Sequence, residues 1–217
     1  LHRVDRRQRQ MCIRDSVSPR KFKFQMWVLK KLGYRGLSLK ELKPYLDGDI
    51  YGKVVGITFD DGYQNNLTNA APVLKKYNFS ATCYIVSQNI GLSNIWDLDN
   101  NITQRPLMTE SEIKQWLNLG MDIGAHTRTH ADLTSISEKK AYDEINDCKA
   151  DLENKFKVKV TDFCYPFGRF NDLILKMVEN SNYSTASTMQ RGRAHLMSNN
   201  YLSVSYTHLT LPTIYSV

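Results

Sequence analysis

The feature that most constrains the fold is a short apolar segment, residues 53–59, which ends in two acids and a glycine. It is too short and too rich in β-branched residues for a helix, so it predicts a buried strand. Asp60, Asp61 and Gly62 follow directly, at the carboxyl end of that strand, where α/β folds collect their chemistry. Adjacent acids point in different directions, so one can bind a cation while the other moves protons. A solvated Asp-Gly turn is the alternative interpretation.

Two further apolar segments end in residues that carry chemistry. Residues 121–125 predict a strand, and His126 and His130 follow it. Histidines four apart can share one face of a helical turn and converge on one ion. Residues 158–164 predict another strand, and the proline and glycine after it fix a rigid loop at the same edge of the sheet. Each motif is common alone, but three at successive strand ends indicate a site.

Strand and helix patterns alternate along the rest of the chain, and its length suits one domain. Thr109 and Glu112 form a capping box, and residues 137–156 have the spacing of a long amphipathic helix. A long loop, 88–107, is typical of segments that cover a site. Repeated β-then-α units indicate an α/β fold with a parallel sheet. The other predicted helices are 21–32, 38–46, 69–77 and 171–179, and the other predicted strands are 80–86 and 183–188.

The three motifs, taken in order, resemble those of the polysaccharide deacetylases, the NodB-homology family of carbohydrate esterases. They are Thr-Phe-Asp-Asp-Gly at 58–62, His-Thr-Arg-Thr-His at 126–130 and Tyr-Pro-Phe-Gly at 165–168. The resemblance covers residues 17–202 and implies a distorted (β/α) barrel. The form of the third motif is most similar to the subgroup that acts on poly-N-acetylglucosamine. Members of the family continue with a late motif that bears a catalytic histidine. Residues 203–217 do not supply it, so we expect the barrel to be truncated at its C-terminal end.

The resemblance implies a metal held by Asp61, His126 and His130. One acid and two histidines suit zinc most simply and leave positions open for water and substrate, although cobalt, nickel, manganese and iron accept the same ligand types. Asp60 is then the general base. The backbone N–H of Phe167 is the implied donor to the oxyanion.

Further site residues follow from the same resemblance. Tyr165, Pro166 and Gly168 are predicted to bind substrate, with Tyr165 and Phe167 as an aromatic wall, whereas Trp96 receives less weight. Many members of the family carry an arginine that orients the base at the position of Cys164. Either of two later arginines could replace it, although both also suit surface charges; they are Arg191 and Arg193.

The two ends of the chain differ from the rest in composition. Residues 1–16 hold five Arg and two Asp, which accounts for +3 of the net charge of +7, and residues 203–217 carry no charge. Both segments are typical of non-native, adapter-encoded sequence, so we predict a domain at 17–202. The remaining charge is too modest to indicate a nucleic-acid partner. No apolar segment is long enough to span a membrane, and the resemblance implies a secreted or cell-envelope protein.

The predicted function is metal-dependent removal of N-acetyl groups from an N-acetylated glycan. A glycan-binding or catalytically degenerate module is the main alternative, favoured by the missing late motif. A mononuclear iron oxygenase with two histidines and one carboxylate is a third class. Such sites usually need a close His-x-Asp/Glu pair. That spacing is absent at His126, although Asp132 stands two residues after His130.

Overall fold

Parallel strands alternate with helices in the computed structural model, which describes residues 17–100, 102–188 and 203–204. The helices are α1 (Pro19–Lys31), α2 (Leu39–Leu46), α3 (Ala71–Tyr77), α4 (Glu110–Asn118), α5 (Glu138–Phe156) and α6 (Asp172–Asn180). The strands are β1 (Arg35–Leu37), β2 (Val54–Gly56), β3 (Thr58–Phe59), β4 (Thr82–Ile85), β5 (Asp122–Ala125), β6 (Asp162–Cys164), β7 (Thr185–Thr188) and β8 (Ser203–Val204). Within those ranges, no helix combines the length and the apolar composition that crossing a membrane requires.

Six strands, β3 to β8, form one parallel sheet in chain order, and β1 pairs with β2 in a separate parallel pair. Ile57 joins the two sheets. Its N–H donates to Leu37 O and its carbonyl accepts from Thr82 N, both at 2.9 Å. The parallel sheet curls into half a barrel, so the predicted α/β barrel architecture is confirmed. All carboxyl ends of the six strands therefore meet at one edge.

The ends of the helices follow from local side chains. Thr109 and Glu112 form the predicted capping box at the start of α4. Asn171 caps α6, where its side chain accepts from Ile174 N at 2.9 Å. These bonds satisfy backbone N–H groups that the first helical turn leaves free.

The hydrophobic core lies between the sheet and its covering helices. The inner face of α5 is buried as its spacing predicts, with Ile145, Cys148 and Leu152 fully inaccessible. Trp116 of α4 and Phe163 of β6 are equally buried. Cys83, Cys148 and Cys164 are free and buried, as small apolar residues would be. This packing fixes the strands whose ends carry the site.

Three predicted boundaries differ from the structure. The strand predicted at 53–59 is divided into β2 and β3, because Ile57 passes between the two sheets. The helix predicted at 69–77 is preceded by a wide π-helical turn at Asn66–Ala70. The predicted domain ends at residue 202, but β8, at 203–204, pairs with β7 and extends the sheet two residues further. Residues 1–16 and 205–217 lie outside the described residues, so their non-native origin stays a prediction.

Candidate metal centre

Asp61, His126 and His130 meet at the carboxyl edge of the sheet, Asp61 just after β3 and His126 just after β5. Asp61 Oδ1 lies 3.3 Å from His126 Nε2 and 3.3 Å from His130 Nε2. One ligand atom from each residue lies within 4.8 Å of the others. Zinc bound at about 2.0–2.2 Å by tetrahedral ligands holds those ligands about 3.3–3.6 Å apart. The predicted convergence is confirmed, and the two distances from Asp61 match that range.

Hydrogen bonds orient His126 towards the same point. His126 Nδ1 lies 2.8 Å from Cys164 O, and because a carbonyl only accepts, Nδ1 carries the hydrogen. His126 Nε2 is therefore left facing Asp61, either with a proton or with a lone pair for a cation. Outer contacts of this kind orient the histidines of metal sites.

The electrostatics of the three side chains favour a positive charge between them. Burial opposes ionisation of Asp61, but hydrogen bonds with His126 and His130 outweigh it and hold the pKa of Asp61 well below its usual value. Burial also opposes the charged form of His126, yet the Asp61 carboxylate outweighs it and the pKa of His126 is raised. For His130, burial prevails over Asp61 and its pKa is lowered. An ionised acid beside a largely uncharged imidazole is the donor set that a divalent cation needs.

His130 is packed between two aromatic rings. Its Nδ1 is buried without a hydrogen-bond partner among the described residues. The Trp96 ring stacks on it at 4.4 Å between centroids and 20° between planes, and the Phe167 ring meets it edge-on at 4.6 Å. Sequence reasoning gave Trp96 too little weight. The length of the 88–107 loop, which was predicted to cover a site, was the available signal.

The segment between the two histidines is not the helical turn that their spacing allows. Thr127 and His130 adopt left-handed backbone angles, with φ of 64° and 62°. Asp61 and Phe167 do the same, with φ of 69° and 58°. Such angles cost non-glycine residues about 1–3 kcal/mol each and concentrate at functional sites. Here they occur at Asp61 and His130, two of the three converging residues, and at neighbouring loop positions.

Asp60 lies beside the ligand set without belonging to it. Burial raises its pKa to about 6, with His126 opposing and Asp61 reinforcing the shift. The Cys164 thiol donates to Asp60 Oδ1 at 3.7 Å. A thiol is a weak donor, so Cys164 anchors the carboxylate more loosely than an arginine would. A carboxyl group with a pKa near 6 can accept a proton at neutral pH.

The loop after β6 places Phe167 at the site and turns Tyr165 away from it. Tyr165 is 1% exposed and packs against Phe163 and Phe170, with ring centroids 5.2 and 5.1 Å apart. Its ring therefore belongs to the core, which corrects the prediction of an aromatic wall at that residue. Within the loop, Pro166 is buried, and Phe167 and Gly168 are half-buried. The predicted arginines Arg191 and Arg193 lie outside the described residues.

Comparison with known proteins places these motifs in a family. The family model for polysaccharide deacetylases matches residues 47–186. The Bacillus subtilis protein YxkH is 33% identical over 180 residues, which are 82% of this chain and 60% of YxkH. The poly-β-1,6-N-acetyl-D-glucosamine N-deacetylase of Staphylococcus aureus is 27% identical over 196 residues, 86% of this chain and 65% of that protein. The chain thus spans less than two thirds of the length of these relatives.

Solved structures share the fold. The Streptococcus pyogenes deacetylase PplD in complex with acetate has a TM-score of 0.70 and 29% identity, over 81% of this chain and 74% of that one. BC0361, a polysaccharide deacetylase from Bacillus cereus, has a TM-score of 0.70 and 28% identity, over 91% of this chain and 60% of that one. IcaB from Ammonifex degensii, at 23% identity over 87% of this chain and 82% of that one, has a TM-score of 0.73 and shows the fold alone. With most of the described residues matched by the family model, the chain belongs to the polysaccharide deacetylase family.

Proposed function

We propose that this protein hydrolyses N-acetyl groups on an N-acetylglucosamine-containing polysaccharide, with a divalent metal held by Asp61, His126 and His130. The observation that carries the proposal is the convergence of these three side chains within 4.8 Å. The carboxyl group of Asp60, next in sequence to Asp61, is separate from them. Zinc suits the ligands best because one carboxylate and two imidazoles leave open positions. When bound, the metal supplies a Lewis acid that activates water and polarises the acetyl carbonyl.

Asp60 is the proposed general base. It lies next in sequence to a ligand, and its pKa of about 6 keeps it mostly ionised at neutral pH. Its carboxylate takes a proton from the attacking water. The contact with Cys164 fixes one carboxylate oxygen and leaves the other for that proton. Proton transfer of this kind contributes about 10²–10⁴-fold to rates.

Phe167 is the proposed donor to the oxyanion. The left-handed backbone at Phe167 and the buried proline before it set the direction of the Phe167 N–H. The Phe167 ring rests on the edge of His130, which keeps the donor next to the proposed metal ligands. A fixed donor of this kind contributes about 2.7–4 kcal/mol to lowering a barrier. Pro166 and Gly168 would bind substrate through the backbone of the same loop.

The substrate class rests on the relatives and on two rings. The Staphylococcus aureus relative is named for its action on poly-β-1,6-N-acetyl-D-glucosamine. Trp96 and Phe167 flank His130, so partly exposed aromatic surface borders the proposed centre on two sides. Aromatic rings give an amphipathic surface against which a sugar can pack. We therefore propose an N-acetylglucosamine polymer as substrate.

Acetate release tests the proposal. The substrates are β-1,4- and β-1,6-linked N-acetylglucosamine oligomers, each assayed with and without a chelator and after zinc is restored. We expect release that chelation abolishes and zinc recovers, and release reduced by about 10²–10⁴-fold in the Asp60→Asn variant. Release that survives chelation would contradict the metal centre. Oligomer binding without release under every condition would instead support a glycan-binding module.

A further inference from the structure

A single carboxylate on helix α5 binds the loop between the two histidines. Glu144 Oε2 accepts from the Arg128 N–H at 2.8 Å and from the Thr129 N–H at 3.0 Å. Glu144 Oε1 accepts from the Thr129 hydroxyl at 2.7 Å. Glu144 lies sixteen residues from Arg128 in sequence, so these bonds are tertiary contacts. They tie the middle of the ligand loop to the longest helix of the fold.

The carbonyl groups of the same loop are bound by the residues that follow β4. Ser87 N donates to Thr127 O at 3.2 Å, and Gln88 N donates to Arg128 O at 2.9 Å. A helical turn would satisfy its own backbone groups, but this loop is left-handed at Thr127 and must find partners elsewhere. The Arg128 N–H bond to Glu144 is part-buried and the Thr129 bonds are exposed, so the Arg128 N–H would lose most without its acceptor. The carboxylate of Glu144 therefore stabilises a backbone shape that non-glycine residues rarely adopt.

The Arg128 side chain adds a weaker connection to the same helix. Its guanidinium pairs with Asp147 at 2.9 Å and with Asp151 at 3.1 Å. Together with Glu144 these acids are spaced by three and four residues, so all three share one face of α5. The arginine side chain is 30% exposed and Asp147 is 50% exposed, so water weakens these pairs. Glu144, which binds the backbone itself, is the main connection.

We propose that Glu144 is a positioning residue of the metal centre. It holds the Arg128 and Thr129 amides so that His126 and His130, which flank them, present their imidazoles to Asp61. This inference rests on the proposed metal site, and Glu144 acts through the loop without touching the metal or the substrate. Outer residues that orient metal ligands change metal affinity by about 10–100-fold when they are replaced.

The test compares zinc affinity, measured by chelator competition, in four variants of the full chain. Glu144→Ala removes the acceptor. Glu144→Asp shortens the side chain by one methylene, so its carboxylate lies farther from the loop. Glu144→Gln keeps an oxygen that can accept both amides. Asp143→Ala is the matched control, because it removes the same charge from the adjacent residue, whose carboxylate pairs with Lys139 on the surface of the same helix. The visible spectrum of the cobalt-loaded protein reports ligand geometry at saturating metal.

We expect Glu144→Ala and Glu144→Asp to lose zinc affinity by about 10–100-fold and to change the cobalt spectrum. Glu144→Gln and Asp143→Ala should keep a zinc affinity and a cobalt spectrum close to those of the original protein. Equal affinities for Glu144→Asp and Glu144→Gln, or equal losses for Glu144→Ala and Asp143→Ala, would overturn the inference. If Glu144→Ala does not fold, the comparison of the Asp and Gln variants decides. Failure of the original protein to bind zinc would instead overturn the proposed metal centre, and the positioning role with it.

Discussion

The two sides of the candidate metal centre are held in different ways. On the strand side, Asp61 and His126 follow β3 and β5, and His126 is fixed by a hydrogen bond to the carbonyl of Cys164. On the loop side, His130 has a buried nitrogen without a hydrogen-bond partner among the described residues and is packed between Trp96 and Phe167. A hydrogen bond fixes the direction of a ring, whereas ring packing fixes its position and tolerates rotation. We therefore expect the strand side to determine whether metal binds and the loop side to tune how tightly.

The largest expected effect is at Asp61, on the strand side. Asp61→Asn removes the negative charge that both histidines face at 3.3 Å, so metal binding and acetate release should both be lost. Isothermal titration with zinc measures the binding directly. Retention of zinc with unchanged affinity would show that Asp61 is not a ligand.

Asp60→Asn should separate chemistry from binding. The substitution removes the proposed base but no ligand, so acetate release should fall by about 10²–10⁴-fold while zinc affinity is largely kept. The same titration, run beside Asp61→Asn, checks the distinction. If Asp60→Asn lost zinc as completely as Asp61→Asn, the two roles would have to be exchanged.

The pH dependence of the reaction should report the same carboxylate. The pKa of Asp60 is raised to about 6 by burial, and a base is active only when ionised. Activity should therefore fall as the pH drops through that value, by about tenfold per unit below it. A bound cation favours the carboxylate and moves this limb to a lower pH. An acidic limb well above pH 6 in kcat/KM would contradict Asp60 as the base.

The smallest effect is expected on the loop side. Trp96→Ala removes the ring stacked on His130, and stacked aromatic pairs contribute about 0.5–1.5 kcal/mol beyond the area they bury. Zinc affinity should fall by about 2- to 12-fold, and Trp96→Phe, which keeps a ring, should recover most of it. Trp27→Ala is the control, because Trp27 is a half-exposed ring on α1 that packs against Phe24. If Trp96→Ala lost as much zinc affinity as Asp61→Asn, the loop side would matter as much for metal binding as the strand side.

Left-handed residues elsewhere in the chain sharpen the contrast between local and tertiary control. Asn78 and Lys157 have positive φ angles of 56° and 57°, and each ends a helix through bonds from its own N–H to the last turn. Those angles follow from neighbours in sequence. Between Thr127 and His130 the backbone instead bonds Ser87, Gln88 and Glu144, which lie far away in sequence.

The sequence by itself determined the elements whose causes are local. The capping box at Thr109, the buried face of α5 and the strands that precede Asp61 and His126 all follow from spacing within a few residues. Because parallel strands present their carboxyl ends at one edge, the meeting of the acid with the two histidines could also be predicted.

Only the tertiary structure decided which way the loops turn. Helical spacing allowed a helical turn at His126–His130, but the segment is left-handed at both Thr127 and His130 and bonds α5 and the residues after β4. Tyr165, which was predicted to line an aromatic wall, is buried in the core, whereas Trp96, which received less weight, stacks on His130. Contacts between residues distant in sequence set these directions, and no local pattern of residue types encodes them.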